Sequence, residues 1–202
     1  VAWDEPASSL RELRRHRRLN MYRRIALLER AQYHVIPISA PDTPPEEWRD
    51  ASRWSLKDSV DFPIEDAGVA LLQVPTDPAR QRRASLLAVV SAHAHLARLA
   101  QASAEAAVPW EVIDIPETGL RNVAALAEVG SSAQALLHVN ALHSTLVFVH
   151  RGELLLTRQI DVSLVQLTLT DEEERLVSQE RAGLELQRTL DSFERQFSHL
   201  SL

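Results

Sequence analysis

The chain has 202 residues, of which 45% are hydrophobic and 25% charged, and this is enough for one or two folded domains. Its formal net charge of −6 makes nucleic acid a poor partner. The absence of cysteine excludes disulfides, thiolate metal sites and thiol nucleophiles.

Glycine is scarce, and its five copies stand apart from one another. The glycine-rich loops by which many enzymes bind nucleotide phosphates are therefore missing from this sequence. No window of about 18 residues is free of polar side chains, so we expect no membrane-spanning segment. The first residues also lack the basic tip and apolar stretch of a signal peptide. We expect a cytoplasmic protein, or one at the cytoplasmic face of a membrane.

The first predicted element is a helix over residues 8–19, with Ser8 or Ser9 as its N-cap. The first 30 residues contain eight arginines and four acidic residues. Two interpretations of this basic segment stay open. It is either an arm for anionic lipid or an acidic partner, or a solvated helix face whose arginines suit the helix C-terminus, and we favour the second.

Strands and helices alternate over the next hundred residues. Runs rich in β-branched residues and bounded by proline predict strands at 31–38, 69–74, 85–90 and 110–115. Acidic or proline starts and helical spacing predict helices at 46–60, 92–107 and 116–129. This alternation is typical of an α/β protein.

The last third of the sequence predicts a three-strand meander followed by a long helix. The strands are expected at 134–140, 144–150 and 153–160, with Arg151-Gly152 as a two-residue hairpin turn. The helix is expected from about residue 169 or 170 to 197. Its apolar spacing favours packing on the preceding hairpin over a coiled coil, since it covers too few heptads.

Polar clusters give little reason to expect an enzyme. The eight histidines lack metal-ligand spacing, so we expect no metal site. Glu117 and Arg121 could be a catalytic acid and its orienting partner. They also lie one turn apart at a helix start, where an acid stabilises the helix dipole, and we favour this structural interpretation.

Tryptophan is the more informative residue. On the predicted helix 46–60, Trp48 and Trp54 lie on one face, while Leu56 and Val60 lie on nearly the opposite side. So wide an apolar arc indicates either a core helix buried on two sides, which we favour, or a helix of which one face docks a partner. We therefore name Trp48 and Trp54 as candidate partner-binding residues.

Three stretches together resemble one family: Gln-Tyr-His-Val-Ile-Pro-Ile-Ser-Ala-Pro at 32–41, Trp-Ser-Leu-Lys-Asp-Ser-Val-Asp-Phe-Pro at 54–63, and Ile-Asp-Ile-Pro-Glu at 113–117 with Leu-Arg-Asn at 120–122. In this order and spacing they look like the MshI proteins, the PilM-like components of MSHA-type type IV pilus assembly. The segment 184–194 is similar to the PilM helix that follows the second phosphate hairpin.

The resemblance implies an actin-like (ribonuclease H-like) α/β fold, split by an inserted small α/β subdomain and truncated at both ends. It assigns residues 1–30 and 109–130 to the first core domain and 31–108 to the insert. Residues 131–202 would begin the second core domain.

The resemblance also locates a degenerate phosphate hairpin. In actin-like ATPases the second hairpin usually begins Asp-x-Gly. Here His138 stands where the aspartate belongs and Asn140 where the glycine belongs, with Ser144 on the same hairpin. The first hairpin would precede residue 1, and the Gly-Gly adenosine loop would follow residue 202. We therefore expect no cofactor, and ATP only if the missing termini restore a site.

These implications predict a non-enzymatic cytoplasmic adaptor in type IV pilus assembly. It would bind the cytoplasmic tail of a PilN-like inner-membrane protein, reach the membrane through that partner, and link it to the assembly ATPase. The alternative is an ATP-binding actin-like switch of a pilus or type II secretion platform. A sugar-kinase-like enzyme on the same fold is a third hypothesis.

Overall fold

A computed structural model describes residues 6–75, 84–128 and 130–202. Within these ranges the chain forms six α-helices and eight strands. In chain order they are α1 (Pro6–His16), β1 (Ile25–Leu27), β2 (His34–Ser39), α2 (Trp48–Leu56), β3 (Ala67–Val74), β4 (Ser85–Ala92), α3 (His93–Ala106), β5 (Val112–Asp114), α4 (Pro116–Leu126), β6 (Gln134–Val139), β7 (Ser144–His150), β8 (Glu153–Ile160), α5 (Leu164–Leu167) and α6 (Glu172–Gln196).

The chain divides into two compact units. The first contains the described residues 6–73 and 84–116, and the second contains 74–75, 117–128 and 130–202. The finer division into first core domain, insert and second core domain stays a prediction. Among the described residues, no helix is both long and apolar enough to cross a membrane.

One sheet of the first unit has β4 at its centre, between β2 and β3. β2 runs antiparallel to β4. Leu56 of α2 is fully buried in a core that includes Ala88 and Val90 of β4. The Arg53 guanidinium donates to the carbonyls of Ile64 (2.7 Å) and Ala67 (3.1 Å), which ties α2 to the start of β3.

The other sheet of this unit is the parallel pair β1 and β5, with Ile25 opposite Val112. Ala26 is buried on one face, whereas Ile25 and Leu27 are exposed on the other. Ile113 of β5 packs with residues of α3 in an apolar cluster. The sheet therefore has one face in the core and one face in contact with solvent.

The second unit is the predicted meander with the predicted long helix packed on it. β7 lies between β6 and β8, antiparallel to both, and all seven of its residues are buried. Phe193 of α6 stacks on Phe148 of β7 with ring centroids 4.4 Å apart. This contact confirms that the last helix packs on the preceding strands.

The predicted two-residue turn between β7 and β8 is also confirmed. Arg151 and Gly152 both have left-handed backbones, with φ of 52° and 74°, as a tight hairpin turn of this kind requires. The Glu128 carboxylate accepts hydrogen bonds from the backbone N–H groups of both residues. The chain after α4 is thereby attached to the turn.

Four details differ from the sequence-based prediction. α1 begins at Pro6 and ends at His16, so Ser8 and Ser9 lie inside the helix and neither is its N-cap. The predicted helix 46–60 has its α-helical part at Trp48–Leu56 only and tightens into a 3₁₀ turn over Lys57–Ser59. β1 and the single turn of α5 were not predicted. β1 has only three residues and follows two arginines, so its apolar run is too short to predict a strand. Its strand conformation depends on pairing with the distant β5.

Candidate functional site

The three residues of the predicted phosphate hairpin lie on or beside the β6–β7 turn. His138 is an exposed residue of β6, opposite Thr145 of β7. Asn140 is in the turn itself, and Ser144 is the first residue of β7. The structure therefore brings these residues to one hairpin, and the surroundings of Asn140 and Ser144 can be described atom by atom.

The Asn140 side chain forms hydrogen bonds with the backbone of its own turn. Its Oδ1 accepts hydrogen bonds from the backbone N–H groups of Leu142 (2.8 Å) and His143 (3.0 Å). Its Nδ2 lies 3.2 Å from Nε2 of His143. The Asn140 carbonyl accepts from the N–H of Leu164 at 2.7 Å, which joins the turn to α5. Two backbone donors that could face a phosphate oxygen thus already have an oxygen acceptor from the chain itself.

The Ser144 hydroxyl is also used internally. It is 1% exposed, and its Oγ donates to the Val162 carbonyl at 2.6 Å. This hydrogen bond joins the start of β7 to the segment after β8. A ligand at the turn would have to break it to reach the hydroxyl.

The two candidate partner-binding tryptophans have different surroundings. Trp54 is 76% exposed, with Nζ of Lys57 5.0 Å from its ring centroid. Trp48 is half-buried, and its indole N–H donates to the Thr43 carbonyl at 3.0 Å. Since α2 buries Leu56 but exposes Trp54, the alternative of a helix buried on two sides is wrong. Partner binding by both tryptophans stays a prediction.

Glu117 and Arg121, considered from the sequence as an acid and its orienting partner, both lie on α4. Glu117 is buried in the first turn of α4. The Arg121 guanidinium contacts the side chain of Asn122 (2.9 Å) and lies 4.0 Å from the Glu153 carboxylate. In the parts of the chain that the structure describes, no group of three His, Asp or Glu side chains could hold a metal ion.

The first unit contains an open groove of about 590 Å³ between α3 and the segment that leads into β5. Ala100 and Ala104 of α3 are exposed there, so the floor consists of small side chains. β5 pairs with β1 alone among the described strands and is thus an edge strand. The lining residues are Ala100, Ser103, Ala104, Ala107, Pro109, Trp110, Glu111, Val112 and Ile113.

A hydrogen-bond network fixes the wall of this groove. The buried Ser103 hydroxyl donates to the Val108 carbonyl (2.6 Å) and accepts from the Trp110 N–H (3.1 Å). The Trp110 indole N–H donates to the Leu99 carbonyl at 3.3 Å. Ala107 ends α3 in a left-handed conformation with φ of 52°. The concave shape is therefore already formed in the unbound chain.

The groove was not predicted, although the sequence contains a signal for it. Ala100 and Ala104 lie one turn apart on α3, and Ala107 is the C-cap that follows them. Small residues on a solvent-facing stripe leave room beside a helix, but they have no reactive group to draw attention. The other wall comes from residues 109–113, whose position depends on the pairing of β5 with β1.

No protein-family model matches the chain, and no curated protein matches it. Among solved structures, the chain is similar to the PilM-PilN type IV pilus biogenesis complex, with a TM-score of 0.73 and 21% identity over 96% of this chain and 66% of the other. It is also similar to the cytoplasmic domain of EpsL, an inner membrane component of the type II secretion system of Vibrio cholerae. That likeness has a TM-score of 0.52 and 11% identity, and covers 83% of this chain and 61% of the other.

A third solved structure, a Bacteroides thetaiotaomicron protein with an actin-like ATPase fold and unknown function, aligns at a TM-score of 0.45 and 12% identity over 90% of this chain and 62% of the other. The chain therefore spans less than two thirds of the length of the solved chains that it resembles. The resemblance to PilM is confirmed at the level of the fold, whereas the MSHA-specific part of it stays a prediction. The chain thus shares its fold with the solved PilM-PilN structure.

Proposed function

We propose that this chain is a non-enzymatic adaptor of type IV pilus assembly that binds the cytoplasmic tail of a PilN-like inner-membrane protein in the α3–β5 groove. The observation that carries the proposal is the groove itself, an open apolar channel beside an edge strand. The adaptor would work at the cytoplasmic face of the inner membrane. We also propose that the adaptor serves an MSHA-type pilus and links the inner-membrane protein to the assembly ATPase.

The groove has the properties that an extended peptide requires. An edge strand offers unpaired backbone groups to which a peptide can add as a further strand. The small side chains of Ala100 and Ala104 allow a second backbone to come close to α3. The fixed wall at Trp110 lowers the entropy that must be lost on binding. Main-chain hydrogen bonds would supply affinity, and apolar side chains of the tail would supply specificity.

The β6–β7 turn supports the non-enzymatic part of the proposal. Phosphate binding by a turn of this kind uses backbone N–H groups, and Asn140 occupies two of them with its own amide oxygen. The likeness to the PilM-PilN complex and to the EpsL domain supports a place in pilus or type II secretion machinery.

The test is a titration of fluorescein-labelled peptide with the sequence of the PilN-like protein's cytoplasmic tail, followed by fluorescence anisotropy. We expect saturable binding that Ala104→Arg weakens by about 100-fold, since an arginine would fill the groove and leave a polar group facing an apolar peptide. Ala94→Arg, at another exposed alanine of α3, is the matched control. The proposal is wrong if the tail does not bind, or if both variants weaken binding equally.

The ATP-binding switch is tested separately by calorimetric titration of magnesium-ATP into the same protein. We expect no heat of binding, because the donors of the turn already have an acceptor. Saturable heat at micromolar ATP would restore the switch as the better hypothesis.

A further inference from the structure

The positive charge of this chain is concentrated in one segment. Residues 6–24 contain seven arginines and one acidic residue, which gives a net charge of +6. Because the whole chain has a formal net charge of −6, the remaining residues together carry −12. A basic pole on an otherwise acidic protein attracts anionic surfaces and orients the molecule toward them.

Two of these arginines have a structural role. Leu10 is buried against α3 and anchors α1 there. Beside it, Arg14 Nη1 donates to the Ala106 carbonyl (3.3 Å) and Arg11 Nε donates to the Glu105 carbonyl (3.4 Å). Cations at these last carbonyls of α3 stabilise the C-terminal end of that helix.

Three other arginines have no such role. Arg15, Arg17 and Arg18 are exposed, and their side chains make no hydrogen bond or ion pair with any residue that the structure describes. Together with Arg24 they line an open cleft of about 560 Å³. The Nε of Arg24 is buried without a hydrogen-bond partner among the described residues. The Glu111 carboxylate lies 3.6 Å from Arg24 and offsets part of this charge. Arg15, Arg17 and Arg18 still repel one another, and bound anions would remove that repulsion.

Apolar side chains lie next to these charges. Met21 is 69% exposed and Tyr22 is 66% exposed. In the sequence they stand between Leu19 and Arg24, both of which line the cleft. Exposed arginines interleaved with an exposed methionine and tyrosine are the composition of surfaces that lie in the headgroup region of a bilayer.

We propose that the α1–β1 surface, defined as Arg15, Arg17, Arg18, Met21 and Tyr22, binds an anionic phospholipid bilayer directly. The cleft is open and Arg15, Arg17 and Arg18 are exposed. Its one buried unpaired donor among the described residues, the Nε of Arg24, is fewer than the several convergent donors that would hold a single free phosphate. An acidic peptide would use the charges but would not require Met21 and Tyr22. This inference goes beyond the proposed function, in which the chain reaches the membrane only through a protein partner.

The test is flotation of the chain with vesicles of phosphatidylcholine alone or of phosphatidylcholine mixed with phosphatidylglycerol. We expect binding to the mixed vesicles only, weakened by added salt because the attraction is screened. Each arginine near an anionic surface contributes about fivefold in affinity, so Arg15→Gln, Arg17→Gln and Arg18→Gln together should lower it by about 100-fold. Replacing Met21 and Tyr22 by serine should remove the binding that remains at high salt.

The matched control removes the same amount of charge elsewhere, with Arg158→Gln, Arg188→Gln and Arg195→Gln at exposed positions. We expect this variant to bind the mixed vesicles within about fivefold of the original chain. Equal losses in the two triple variants would overturn the proposal, because net charge alone would then explain binding. It would also be overturned if the vesicles failed to bind while a polyglutamate peptide bound in an Arg17-dependent way. Neither triple variant changes a residue of the α3–β5 groove. A failure of bilayer binding would therefore not count against tail binding in that groove.

Discussion

The β6–β7 turn and the α3–β5 groove differ in whether the chain fills the available space itself. At the turn, the Asn140 side chain occupies the backbone donors of Leu142 and His143. At the groove, Ser103 fixes the wall, while small side chains such as that of Ala104 leave the space beside β5 empty. A polar residue in a loop can thus occupy a potential binding site, whereas small residues on a helix can leave one open.

The largest effect on stability is expected from Ser103→Ala at the groove. The change leaves the Val108 carbonyl and the Trp110 N–H without their partner in a buried position, and such losses cost about 2 kcal/mol. We expect the free energy of unfolding in urea to fall by that amount, and tail affinity to fall because the wall at Trp110 loosens. Ser55→Ala, at an exposed serine bonded within its own helix, should change stability by less than about 0.5 kcal/mol. Unchanged stability in Ser103→Ala would contradict the fixed wall.

Asn140→Ala at the turn should have a smaller effect. The freed N–H groups of Leu142 and His143 are near solvent, so water can replace the lost acceptor, and the expected loss is about 1 kcal/mol in the same unfolding measurement. Tail affinity should stay the same. Leu142→Ala is the control, since this side chain is 84% exposed in the same turn. A tail affinity that fell with Asn140→Ala would mean that the turn, and not only the groove, contacts the peptide.

The smallest effect on stability is expected from Trp54→Ala. The side chain is exposed and its Lys57 contact lies at the surface, so the free energy of unfolding should change by less than about 0.5 kcal/mol. Because tryptophan is enriched among residues that dominate interfaces, we expect partner affinity to fall about fivefold. Arg49→Ala, on the same helix, is the control. An affinity equal to that of the unaltered chain would exclude Trp54 from the interface with the tail.

Most of the fold could be predicted because its elements have local signals. The prolines around residues 41–45, the acidic first turn of α6 and the Arg151-Gly152 turn each fix a boundary through one or two residues. β1 could not be predicted, since Ile25–Leu27 is a strand only because β5 lies beside it. The end of α2 at Leu56 was also missed, because the change to a 3₁₀ turn depends on how the following residues pack.

The candidate site was less predictable than the fold. The resemblance led to His138, Asn140 and Ser144, and their positions on one hairpin follow from the strand order. That Asn140 would turn its amide oxygen toward the backbone donors could not be predicted, since it depends on side-chain geometry. The groove depends on the distance between α3 and β5. The identities of Ala100, Ala104 and Trp110 do not indicate that distance.

Hydrogen–deuterium exchange of the chain with and without the PilN-like tail peptide compares the two regions in one measurement. If the tail lies in the α3–β5 groove, backbone amides of residues 100–113 should exchange more slowly in its presence, and those of residues 140–143 should be unaffected. Magnesium-ATP should slow neither segment. Protection of 140–143 by ATP, or a tail that binds without protecting residues 100–113, would contradict the assignment of this chain as a tail-binding adaptor.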